Sequence, residues 1–133
     1  MKKPMEIKAL IVLELFIAIL GLASGISLLS DPSGRGMGLD VVLDKIPLTD
    51  FTLLGVWFVL PYGLLPLTLA YGIWAAKGWA RTTALILAII ELIWVTGQIY
   101  YVGTNILQGV IGFVAILTML LLYRPSVKEH FNL

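Results

Sequence analysis

The chain has 133 residues, 59% of them hydrophobic and only 13% charged, with a net charge of +1 and a mean hydropathy of +0.99. Soluble domains carry about 45–50% apolar and about 25% charged residues, so the solvent for most of this surface must be lipid. The absence of cysteine excludes disulfides, thiolate metal sites and iron–sulfur centres within the chain, the single histidine, His130, excludes a bis-histidine haem, and the near-neutral charge gives no nucleic-acid footprint.

Lys2, Lys3 and Lys8 introduce an apolar run from Ile7 to Leu29. The run is longer than the ~7–15-residue core of a signal peptide and no A-x-A-like site follows, so it is read as a retained first transmembrane helix. Ser30-Asp31-Pro32-Ser33-Gly34 ends it, because proline cannot continue a helix and the others favour turns. Residues 30–50 form the only sizeable loop. Within it Leu39, Val42, Leu43 and Ile46 recur at helical spacing, opposite Asp40, Asp44 and Lys45. This predicts a short helix in the membrane interface, ended by Pro47. Thr49 or Asp50 can cap the second span, residues 51–76. Pro61 and Pro66 fall inside that span, each removing a donor and freeing a carbonyl one turn earlier, so a kink or unwound turn is expected. Lys77 to Arg81 make a tight basic turn into the third span, 82–102. Gly103 and Thr104 turn the chain again, and Asn105 can cap a fourth span, 106–123, before Arg124-Pro125 and a short polar tail.

Orientation follows from lysine and arginine. With both termini on one side, that side holds Lys2, Lys3, Lys8, Lys77, Arg81, Arg124 and Lys128, against Arg35 and Lys45 on the other. Both termini are therefore expected in the cytoplasm, in an inner (cytoplasmic) membrane, with loop 30–50 outside. Trp74, Trp79 and Tyr123 fall at the inner interface, and Tyr100 and Tyr101 at the outer one. The expected fold is all-α: a polytopic bundle of four transmembrane helices forming a single domain, with one short interfacial helix.

Two acids lie where hydrocarbon is expected, Glu14 and Glu91, and an intramembrane ionisable residue is a candidate site. At about 100° per residue, Glu14, Ala18, Gly21 and Gly25 share one face, and so do Ala84, Ala88, Glu91 and Gln98. Gly21 and Gly25 form a close-packing G-x-x-x-G. Small-residue stripes argue that both acids point into the protein. The first and third spans run in parallel, and at roughly 1.5 Å per residue the carboxyls can lie within about 5 Å in depth. If they face one cavity, a shared proton or an exchangeable cation is the natural resident. The other reading is an acid hydrogen-bonded to a backbone carbonyl or a nearby Thr, Tyr or Gln, which only locks helices together. Tyr62, beside Pro61, can reach Glu91 or a ligand, or can be a tyrosine satisfied inside the bundle. Trp94, one turn from Glu91, can wall a cation or serve packing. Gln98 and Gln108 can hydrogen-bond across helices or line an outward vestibule. The spacing of Asp31, Asp40, Asp44 and Asp50 is not that of a calcium loop, and capping or solvated roles account for them. No Ser-His-Asp, HExxH, Walker or dinucleotide fingerprint is present, so neither an enzyme nor a cofactor is expected.

The run DPSGRGMGLDVVLDKIPLTDF, then LIWVTGQIYYVG and the ending LYRPSVKEHF, resemble a widespread group of small four-span prokaryotic membrane proteins. The shared pattern is a DPSG loop after the first helix, a Pro-x-x-Asp-Phe start to the second, and Trp94-x-x-x-Gln98 in the third. The resemblance implies a fold and brings no activity. More loosely, four short spans with Glu14 in the first resemble the small multidrug resistance transporters, in which a membrane-embedded glutamate exchanges protons for cationic drugs. This chain departs from them in its long acidic first loop, its strong basic asymmetry and its additional Glu91, so only an exchangeable glutamate is carried over. The function expected is binding or transport of a small cationic or lipophilic ligand at Glu14, Glu91, Tyr62, Trp94 and Gln98. The alternative is a non-catalytic accessory protein. The expected partners are the lipid bilayer, a second copy in a homo-oligomer and another membrane protein.

Overall fold

In the computed structural model, which describes residues 3–132, every regular element is helical and no strand forms among those residues. Helix makes up 82% of the described residues, so most of their backbone polar groups are satisfied within their own segment, as a lipid solvent requires. Three segments are long and apolar enough to cross a membrane: α1 (Met5–Ser30), a broken segment over residues 52–74, and α4 (Gly78–Val102). A further apolar helix, α5 (Ile106–Leu122), is shorter, at 17 residues.

Proline shapes the broken segment. Pro61 has no N–H for the Trp57 carbonyl, and Pro66 has none for that of Tyr62. The expected kink or unwound turn is realised as a π turn, Leu60–Leu64, between α2 (Thr52–Val59) and α3 (Leu65–Trp74). The Leu65 N–H there bonds back five residues, to the Leu60 carbonyl. This wider turn buries Tyr62 and Gly63.

Small residues decide where the helices touch. α1 packs along the whole broken segment. A Cβ added at Gly21 would collide with the Tyr62 carbonyl, and one at Gly25 would lie 2.7 Å from the Gly55 carbonyl oxygen. The carbonyl that Pro66 cannot serve thus occupies the room left by Gly21. On the other side, Gly72 of α3 lies against Ala80 and Trp79 of α4, where an added Cβ would sit 2.7 Å from each side chain. α4 packs on α5 and α3 but not along α2. α4 therefore meets α3 at the end carrying the termini and parts from α2 toward the end carrying residues 31–50.

Loop and tail both differ in detail from expectation. The single short helix expected around Leu39–Ile46 is two 3-10 turns, Arg35–Met37 and Asp40–Lys45, separated by Gly38 at φ 69°. Asp50 rather than Thr49 steadies the start of α2, accepting a bond from Thr52 N–H at 3.0 Å. The third helix begins at Gly78, earlier than Thr82. The tail is not merely polar. It forms α6 (Pro125–His130) and buries Val127 and Phe131 against the terminal end of the bundle. His130 Nε2 lies 2.7 Å from the Ile73 carbonyl, and Arg81 Nε donates to the Leu122 carbonyl at 3.0 Å, so both side chains reach carbonyls in the last turn of a helix.

Candidate functional site

Glu14 and Glu91 are both interior, 3% and 4% exposed. Glu14 shares its buried face with Ala18, Gly21 and Gly25, and Glu91 shares its own with Ala84 and Ala88, as the helical phase predicts. Gln98 departs from that stripe and is only half-buried. Neither acid has a cationic partner: the ion pair formed among the described residues, Arg124–Glu6 at 3.8 Å, lies at the protein's surface. Oε2 of each carboxyl is buried and has no hydrogen-bond partner among the described residues. Thr68, Thr96 and Thr118 donate to carbonyls of their own helices and leave the acids alone. Buried polar atoms are almost always paired in folded proteins, so two orphaned carboxyl oxygens in one small domain call for an explanation.

Where α2 and α4 part, a cavity of about 990 Å³ opens, with walls from α1, α2, the π turn, α4, α5 and the loop. Glu91, Tyr62, Trp94 and Gln98 all line it. Glu14 does not: it lies behind the wall, close enough to Glu91 for the two carboxyls to interact electrostatically. The two acids thus share the interior of the bundle but not one cavity. Glu91 is the only charged side chain among the lining residues, and the surface around it is overwhelmingly apolar.

Aromatic rings bridge the gap that the backbones leave. Trp57 and Phe58 of α2 each place a ring centroid 5.8 Å from that of Trp94 on α4. Tyr62 stands edge-on to Trp57 at 5.5 Å and lies 6.5 Å from Trp94. The Trp57 indole N–H lies within interaction range of the Tyr62 hydroxyl, but neither atom completes a hydrogen bond of good geometry. The Tyr62 hydroxyl thus has no hydrogen-bond partner of good geometry among the described residues. Two carboxyl oxygens, a phenol and an indole N–H stand unpartnered in one region, beside electron-rich rings that attract cations.

The expected Gln98–Gln108 bond is not formed. Gln108 closes the start of α5 instead: its Oε1 accepts from Asn105 N–H at 2.9 Å, its own N–H bonds the Asn105 side chain at 2.9 Å, and its Nε2 donates to the Gly103 carbonyl at 3.0 Å. Unsatisfied N–H groups at a helix start compete successfully for the nearest amide. Gln98 is left facing the cavity.

Sequence reasoning missed Trp57 and Phe58, and the part that Leu39, Val42 and Ile46 play as lining residues. The first pair stood one helical turn before Tyr62, which was the available signal. The apolar stripe of the loop was recognised but assigned to lipid. No cluster of metal-ligating side chains occurs among the described residues. Asp31 and Asp50, two of the four loop acids, are engaged in local turn hydrogen bonds. No protein-family model matches this chain, and no significantly similar curated protein or solved structure was found for it.

Proposed function

We propose that this is a four-span inner-membrane protein, with both termini in the cytoplasm, that binds or transports a small cationic or lipophilic ligand. Glu91 is the ligand-facing acid and Glu14 a second proton or cation site behind it. One observation carries this reading: the Glu91 carboxyl, 4% exposed with Oε2 unpartnered, forms part of the wall of an otherwise apolar cavity. A carboxylate in such a place is too costly to stand alone, so it needs a proton or a cation from outside the protein. The basic asymmetry of the loops supports the orientation. At 17 residues α5 is at the short end of the ~17–25 that span a bilayer. The cavity is only partly enclosed by this chain, which supports a second copy closing its open side.

An accessory, helix-locking role is the second reading, and Glu14 favours it, because it does not reach the cavity. The two readings separate in proteoliposomes carrying a proton gradient, with tetraphenylphosphonium movement followed by a selective electrode. Ligand exchange requires that wild-type protein move the cation in response to the gradient. It further requires that Glu91→Gln and Glu14→Gln, both with unchanged helical content, abolish the response. Unaltered flux in both variants rules out the exchange reading.

A further inference from the structure

The cavity has an acidic, aromatic end and a longer end under the loop, and this division specifies a ligand more narrowly than charge alone. Glu91, Trp57, Tyr62 and Trp94 gather at one end, at the depth of the π turn. From Glu91 to the end of α4 at Val102 the helix runs on for roughly 16 Å at about 1.5 Å per residue. Over that distance the lining is mostly apolar, broken by Gln98, Tyr101, Asn105 and Gln108, and it is roofed by Leu39, Val42, Ile46 and Leu48 of the loop. These four side chains are half-buried, whereas the neighbouring Asp40, Asp44 and Lys45 are exposed. The loop thus turns its apolar stripe down onto the cavity.

We infer that the ligand is a single-tailed lipophilic ammonium, its cationic head beside Glu91 and the aromatic rings and its tail lying under Leu39, Val42 and Ile46. The inference rests on the binding reading above and adds to it the form of the ligand and a selective role for the loop. Charge complementarity fixes the head: a lone carboxyl with an unpartnered oxygen accepts a cation, and the rings beside it favour one further. A phospholipid head is disfavoured, because its phosphate would set a second anion against Glu91. Size agrees as well, since about 990 Å³ falls at the upper end of the roughly 300–1,000 Å³ of small-molecule pockets.

The test uses the full chain in phosphatidylcholine nanodiscs, with binding read from the fluorescence of Trp57 and Trp94 and empty discs subtracted. The probes are dodecyltrimethylammonium, tetramethylammonium and dodecyl sulfate. Wild type should bind both cations, the long one more tightly, and should not bind the anion at this site. Glu91→Gln should weaken both cations about tenfold or more, the loss expected on removing a charge-assisted contact. Val42→Ser combined with Ile46→Ser should weaken only the long cation, by about threefold or more, leaving tetramethylammonium unchanged. If Glu91→Gln does not fold, Glu91→Asp, which retains the charge but withdraws it, must weaken both cations in the same direction. An undiminished preference for the long cation in the loop variant overturns the role of the loop while leaving the binding reading intact. Dodecyl sulfate binding that competes with the cations overturns the ammonium head. If wild type binds neither cation, this inference and the binding reading fall together.

Discussion

At the end carrying the termini, α1, α3, α4 and α6 meet through glycine, alanine and a folded-back tail. Toward the end carrying residues 31–50, α1 stays on α2 through Gly25 and Gly55, but α2 and α4 stand apart, and aromatic rings fill part of the gap. In lipid the tails are as apolar as leucine, and helix contact depends on how closely backbones can approach. Gly21, Gly25 and Gly55 bring α1 onto the broken segment, and Gly72 and Ala80 bring α3 onto α4. Along α2 the residues aimed toward α4 are Trp57 and Phe58, which hold it at a distance and leave the cavity. The small residues fix where the bundle closes, and the large ones fix where it stays open.

The most damaging way to break that comparison is to crowd the closed contact. Gly21→Leu drives a side chain into the Tyr62 carbonyl, which is backbone and cannot swing aside. The expected loss is about 3 kcal/mol or more, seen as a lower midpoint in denaturant titration of the reconstituted protein. A midpoint equal to wild type would mean that α1 and the π turn are not in backbone contact.

A smaller effect of opposite sign is expected at Glu14. Its carboxyl is buried, lacks a hydrogen bond through Oε2 and does not face the cavity, so it adds nothing to packing that leucine would lose. Glu14→Leu should stabilise the protein by roughly 1–3 kcal/mol, the cost of an unsatisfied buried polar group. It should also remove any dependence of ligand exchange on a proton held there. Destabilisation of that size would show Glu14 to be a structural lock after all.

The sequence carried the breaks and the closed contact more plainly than the cavity. Pro61 and Pro66 announced the disrupted turn, Asn105 announced the cap of α5, and the stripes under Glu14 and Glu91 announced their burial. Each of these follows from one residue's own chemistry or from the phase of one helix. The gap between α2 and α4 does not, because phase says which way a side chain points and not how far the next backbone is. Gln98 and Gln108 were misjudged for a related reason. Both sit toward the loop end of their spans, but the open N–H groups at the start of α5 claimed Gln108 first. In the tail, Val127 and Phe131 stand four apart, a signal too short to outweigh the charges around it.

α5 offers a control in which crowding should be absent. Nothing lies within 4 Å of a Cβ built at Gly112. Gly112→Ala should therefore raise stability slightly, by about 0.5–1 kcal/mol, through the better helix propensity of alanine. A fall in stability, or a change in oligomeric state by light scattering, would show instead that a second copy packs against this face and closes the bundle there too.

The smallest expected effect separates the two ends by pH. At the loop end, the Asp31 carboxyl accepts a bond from the Ser33 hydroxyl at 2.6 Å and another from the Gly36 N–H at 3.3 Å. The Ser33 bond, ahead of the backbone bonds and of Arg35, holds Asp31 below its usual range despite some opposing desolvation. Because its folded-state pKa is depressed, its contribution is complete above the unfolded value of about 3.9 and is lost as pH falls through the folded one. Acidification below that point should loosen residues 31–36 first, visible as shifts of the Ser33 and Gly36 amide resonances, while amides of α3 packed at the other end stay put. The carboxyl is only partly buried and its bonds are local, so the effect should be local and leave global unfolding unchanged. Asp31→Asn should abolish that titration. Persistence of the same resonance shifts in Asp31→Asn would assign them to another acid and remove Asp31 as the residue that ties down the turn into the cavity roof.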